Sequence, residues 1–95
     1  MVAIVLGFSG YLFAINITRN RDVVIGTGTI VYLSFEGGFY GIVGDDGKHY
    51  DPLNLSQEFK VSGLRVYFEA KILHDVLTYH MWGTPVSILE IQRLG

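Results

Sequence analysis

The sequence predicts a small, mainly β domain, and three observations carry that reading. The stretch Glu36–Leu55, EGGFYGIVGDDGKHYDPLNL, sets an Asp-Gly turn between two strand-like runs. The stretch Leu64–Leu73, LRVYFEAKIL, alternates between apolar residues and residues suited to a wet face. The composition, 49% hydrophobic and 14% aromatic with 17% charged residues, can fill a core and is too apolar for a disordered chain. At 95 residues there is room for one domain, and the absence of cysteine removes disulfides, thiolate metal sites and thiol nucleophiles.

Taken in order, the chain opens with Met1–Ile15, MVAIVLGFSGYLFAI, which has no charged side chain. Extended to Ile17 it would reach about 25 Å as a helix, a little short of a bilayer core of about 30 Å. It has no basic residue ahead of the apolar run, as a signal peptide would. A membrane anchor, a cleaved signal-like segment and a buried element of the domain all fit residues 1–17. The polar run Thr18–Asp22 marks a boundary, dividing an apolar N-terminal segment with its linker (1–22) from a folded domain (23–95).

Val23–Phe35 is rich in β-branched residues and reads as the first strand, with Gly26 and Gly28 allowing a bend or bulge. Phe39–Val43 is the second. Asp45-Asp46-Gly47-Lys48 reverses the chain, glycine supplying the positive φ of a tight primed turn, and His49–Asp51 starts the third strand, which Pro52 closes. Between Leu53 and Gly63 the alternation is lost. Asn54 or Ser56 can cap a single helical turn through Gln57–Phe59, with Phe59 dropping onto the core. In the fourth strand Val66, Phe68, Ala70 and Ile72 point inward while Arg65, Tyr67, Glu69 and Lys71 face water. His74–Pro85 is an irregular connection. In the last strand, Val86–Leu94, the apolar phase switches between Val86/Ile88 and Leu89/Ile91, as a bulge or barrel corner produces. Five strands with a helical turn between the third and fourth is the element order of a small OB-like Greek-key barrel; an SH3-like barrel or open β-roll is the alternative.

The runs EGGFYGIVGDDGKHYDPLNL, FKVSGLRVYFEAK and MWGTPVSILEI resemble a group of small uncharacterised prokaryotic OB-fold-like proteins, over roughly residues 28–94. Many of these are exported or lipid-anchored. The resemblance implies a fold and an extracytoplasmic, membrane-associated location, and no activity. Without cysteine, anchoring would fall to the apolar N-terminus. Arg19 and Arg21, read by the positive-inside rule, would instead leave the domain on the cytoplasmic side; the location expected here follows the resemblance.

Charge and motifs narrow the function. From Val23 onward five basic residues stand against eight acidic ones, a net of −3, so the cationic footprint of a phosphate-backbone binder is missing and nucleic acid is disfavoured. Asp45, Asp46 and Asp51 lack the ligand spacing and closing glutamate of a calcium loop and suit a turn. His49, His74 and His80 lack the paired spacing of zinc ligands. No Gly-x-Ser-x-Gly elbow or lysine-bearing phosphate loop occurs. The expectation is a non-catalytic binding or scaffolding module at the cell envelope, with no cofactor or metal and an unidentified protein or small ligand as partner. The alternative is an OB-type binder of single-stranded nucleic acid or oligosaccharide. Among many aromatic residues, the candidate ligand-binding set is Tyr67, Tyr79, Met81 and Trp82.

Overall fold

A computed structural model of the chain describes residues 17–19, 22–78 and 81–95. Its strands are β1 (Ile17–Arg19), β2 (Val23–Leu33), β3 (Phe39–Gly44), β4 (His49–Pro52), β5 (Arg65–Ile72) and β6 (Thr84–Arg93), with a 3-10 turn at Gln57–Phe59 between β4 and β5. The strand order β2-β3-β4-β6-β5 returns on itself through a β2–β5 pairing, closing a five-stranded barrel. β4 and β6 run parallel; every other pairing is antiparallel. The mainly β five-stranded barrel with one short helical turn, expected from the sequence, is the observed one. Among the described residues no helix is long and apolar enough to cross a membrane, and residues 1–16, to which the anchor reading belongs, lie outside them.

Closure depends on β2, which hydrogen-bonds along both edges. Val23–Thr29 pairs with β5 and Gly28–Leu33 with β3, so the strand passes from one neighbour to the other at Gly28–Thr29. There β3 comes so close that a Cβ on Gly28 would lie 2.7 Å from the Val43 carbonyl oxygen. The free N-terminal edge of β2 is taken by β1 through Val23–Ile25. Thr18 and Arg19, read from the sequence as linker, are therefore strand residues, held by a neighbour's open edge and by no apolar pattern of their own.

The core follows the alternation. Val66, Phe68 and Ala70 of β5 are fully buried, and they meet Val24 and Ile30 of β2, Ile42 of β3, Tyr50 of β4 and Val86 of β6. Ile72, at the strand's end, packs against this cluster while partly exposed. In β6 the pairing runs Glu69↔Glu90 and then Ala70↔Ile88, which leaves Leu89 as a bulge residue 57% exposed. The extra residue resets the phase, so that Ile88 and Ile91 both reach the core.

Two local expectations need correction. The 3-10 turn has no side-chain cap: Ser56 caps only through its carbonyl, which accepts from Phe59 N–H. Asn54 reaches 34 positions along the chain instead, accepting from Ile88 N–H and donating to Ile88 O beside the bulge. The β3–β4 connection is wider than a primed turn, since Asp45 and Asp46 keep negative φ and Gly47 alone is left-handed, at φ 87°. Gly47 N–H donates to Gly44 O and Gly44 N–H to Lys48 O, the pattern of a three-residue loop ending in a glycine bulge.

Both aspartates of this loop have structural work. Asp46 accepts from Lys48 N–H and from the Tyr50 hydroxyl, and burial together with that carboxylate pushes the phenol well above its ordinary range. Asp45 accepts two hydrogen bonds of 2.7 Å from the Arg65 guanidinium and a short one from the Thr27 hydroxyl, tying the hairpin to β5 and β2. The guanidinium first, and the hydroxyl second, hold the Asp45 carboxyl down at about 2. A carboxyl depressed in the folded state stabilises the fold above the unfolded pKa and ceases to do so as pH falls toward 2. In urea titrations between pH 5 and pH 2, Asp45→Asn is expected to cost about 1 kcal/mol or less at the upper end, because the pair is solvent-facing. That difference should shrink toward the lower end; a gap that is constant or widens on acidification contradicts the assignment.

Candidate functional site

The outer face of β3 and β4 carries a file of rings. By strand alternation Phe39, Gly41 and Val43 point away from the core residue Ile42, and His49, paired with Val43, points the same way from β4. The β5–β6 connection, residues 73–83, brings Trp82 down onto this face. The indole stacks on the His49 imidazole, centroids 4.3 Å apart and planes 12° from parallel. Phe39 packs against it at 6.0 Å and 69°, and Phe35, from the β2–β3 connection, meets Phe39 edge to face at 5.3 Å. The file thus runs Phe35, Phe39, Trp82, His49.

Gly41 makes the seat. A Cβ there would lie 2.2 Å from Cζ3 of Trp82 and 2.7 Å from Cη2, so the benzo edge of the indole rests on bare backbone. With an edge against Gly41, one face against His49 and Phe39 beside it, Trp82 is a wedge holding the loop to the barrel. The ring surface left for a ligand belongs to its neighbours: Phe35 is 44% exposed and His49 is exposed. Beside His49, Met81 is 77% exposed at φ 43°, a left-handed conformation uncommon for a non-glycine residue, and its N–H donates to the Thr78 hydroxyl. Leu77 on the same connection is 90% exposed. Lys48, His49, Met81 and Trp82 border a shallow depression of about 410 Å³ at the hairpin end of the file.

Of the four residues singled out in the sequence, Met81 and Trp82 lie together here. Tyr67 lies elsewhere on the barrel, on β5 between Thr27 and Gln92, half-buried with its hydroxyl donating to Glu69. Tyr79 lies outside the described residues, as does His80. His74 is apart from His49: its Nε2 sits 2.9 Å from Asp22 Oδ1, linking the end of β5 to the start of β2. Among the described residues no group of three potential metal ligands converges. The site residues missed in the sequence are Phe35, Phe39 and His49. Their signal was parity, since Phe39, Gly41 and Val43 share a face that a ring could cover only at the glycine.

A surface of this kind binds by stacking, dispersion and displacement of water, and its integrity rests on the Gly41 seat. Gly41→Ala is expected to cost about 1–3 kcal/mol as an overpacking change. It should also shift the emission of the single tryptophan to the red as the indole lifts off the sheet. Unchanged emission and unchanged stability would show that the indole does not rest on this glycine. No protein family, curated protein or solved structure matches the chain.

Proposed function

We propose that this chain is a non-catalytic binding module, tethered at the extracytoplasmic side of the cell envelope, that takes a neutral small ligand or protein segment across the outer face of β3 and β4. The observation that carries the reading is where exposed apolar side chains gather. Phe35, Leu77 and Met81, three of the seven large hydrophobics left exposed among the described residues, lie on the two connections that flank the ring file. Scattered apolar residues need no explanation; their concentration around a preorganised aromatic file does. The tether rests on the uncharged run Met1–Ile15 and on the resemblance to exported and lipid-anchored prokaryotic proteins.

A second reading, an OB-type binder of oligosaccharide or single-stranded nucleic acid, draws on the same face. OB-folds take oligomers on the second and third strands and the first and last of their loops, the counterparts here of β3, β4 and the two flanking connections. The oligosaccharide branch agrees with the ring file. The nucleic-acid branch asks for a cationic groove, and Lys48 is the one lysine bordering the depression.

Titration of the full chain with neutral oligosaccharides, peptides and single-stranded DNA, followed by Trp82 emission, separates these. A saturable change with a neutral ligand is expected, weakened about tenfold by Phe35→Ala with His49→Ala, the scale of losing two stacking contacts. Response to DNA alone, fading with salt, would select the nucleic-acid reading, and response to nothing would end the proposal. For the tether, full-length protein should sediment with membranes while residues 16–95, which retain β1, stay in solution; equal partitioning of the two removes the anchor.

A further inference from the structure

We propose a second binding site, at the barrel end beside Phe39, that takes a small organic anion with an apolar or aromatic body, such as an aryl carboxylate. It goes beyond the ring-file reading and does not depend on it. The site is a cleft of about 360 Å³, within the usual range for small-molecule sites of about 300–1,000 Å³. Tyr32 and Tyr40 form one wall, Leu53 and Leu55 line it as well, and Lys60 brings a cation.

The tyrosine wall is set before any ligand arrives. Tyr32 and Tyr40 are cross-strand partners following Ile30 and Ile42 in the inward phase, so they continue the core toward solvent. Their rings lie 5.1 Å apart at 57°. The Tyr32 hydroxyl fits beneath Gly38, where a Cβ would fall within 2.2 Å of it, and Gly38 itself is left-handed at φ 88°. Despite this fixed placement Tyr32 remains 49% exposed, and Leu53 48%. A rigid, exposed aromatic wall facing an exposed leucine lowers the ordering cost of an apolar guest.

Charge selects the guest's sign. Among the described residues Lys60 has no carboxylate within ion-pair distance. The carboxylate that also lines the cleft, Asp51, is 3% exposed, so its charge lies behind the surface at which the partly exposed Lys60 stands. An entering charged group therefore meets the ammonium at the surface, and a carboxylate gains a charge-assisted hydrogen bond there.

The test compares three probes of one body and different charge, phenylacetate, 2-phenylethanol and 2-phenylethylammonium, by amide chemical-shift mapping on the full chain. Phenylacetate should produce saturable shifts at Gly38, Leu53 and Lys60, with the neutral alcohol about fivefold weaker and the ammonium weaker still. Lys60→Gln, a surface change whose spectrum reports its own folding, should bring phenylacetate down to the level of the alcohol. Gly38→Ala should weaken both, because the tyrosine wall moves, while His49→Ala should leave the cleft unaffected, so this site and the ring file stand or fall separately. Tighter binding of the ammonium, no effect of Lys60→Gln, or no saturable shift with any probe overturns the proposal.

Discussion

The barrel exists because one strand serves two neighbours. Each residue of a strand offers its hydrogen-bonding groups to one side, and a sheet of this size normally leaves two edges open. β2, at eleven residues, is long enough to pair with β5 through its first half and β3 through its second. The parallel β4–β6 contact completes the circuit. The core residues of all five strands point into the space this closure defines, so the register of β2 sets which side chains are buried. A slip of one residue would bring Thr29 and Val31 inward in place of Ile30 and leave the pivot glycine out of step with β3.

Closure also explains the position of the ring file. Where two strands lie side by side with small or backbone-only positions on the outside, a shallow trough results. Gly41 supplies that trough on β3, and the long β5–β6 connection has the reach to fill it with Trp82. The indole is consequently both a loop clasp and a spacer, ordering Phe39 on one side and His49 on the other. Rings ordered in this way lose little freedom when something lies against them, which is the physical reason a clasp can serve a neighbouring binding surface.

Much of this was legible in the sequence because β signals are local. The alternation of LRVYFEAKIL gives β5 its buried and wet faces directly, and the broken phase of VSILEIQRL, which suits a bulge or a barrel corner, corresponds to the bulge at Leu89. What escaped was non-local. Asn54 looked like a cap because caps are read from the next few residues, whereas its partner, Ile88, is 34 positions away. β1 has no pattern of its own and is a strand only because β2 has a free edge. Trp82 could be singled out as a large ring in a loop, but its contact with Gly41 depends on which outward position of β3 is vacant, and only the assembled hairpin reveals that. The alternation puts Tyr67 on the outward phase of β5, where it is half-buried, yet phase does not say which part of the barrel wall a residue occupies.

The distribution of cations follows from the same economy of charge. Arg65 faces the hairpin loop and is bound to Asp45, which leaves it committed to holding two strands and a turn together. Lys48 and Lys60 are isolated from one another, one at each of two separate depressions. A polyanion needs several cations along a continuous path, since its affinity accumulates with each phosphate neutralised. Single lysines beside apolar walls favour the opposite kind of guest, one whose binding comes mainly from buried carbon and whose charge, where it has one, is met at a single point. The scarcity of charge that makes so small a barrel able to fill its core therefore also limits what its surface can recognise.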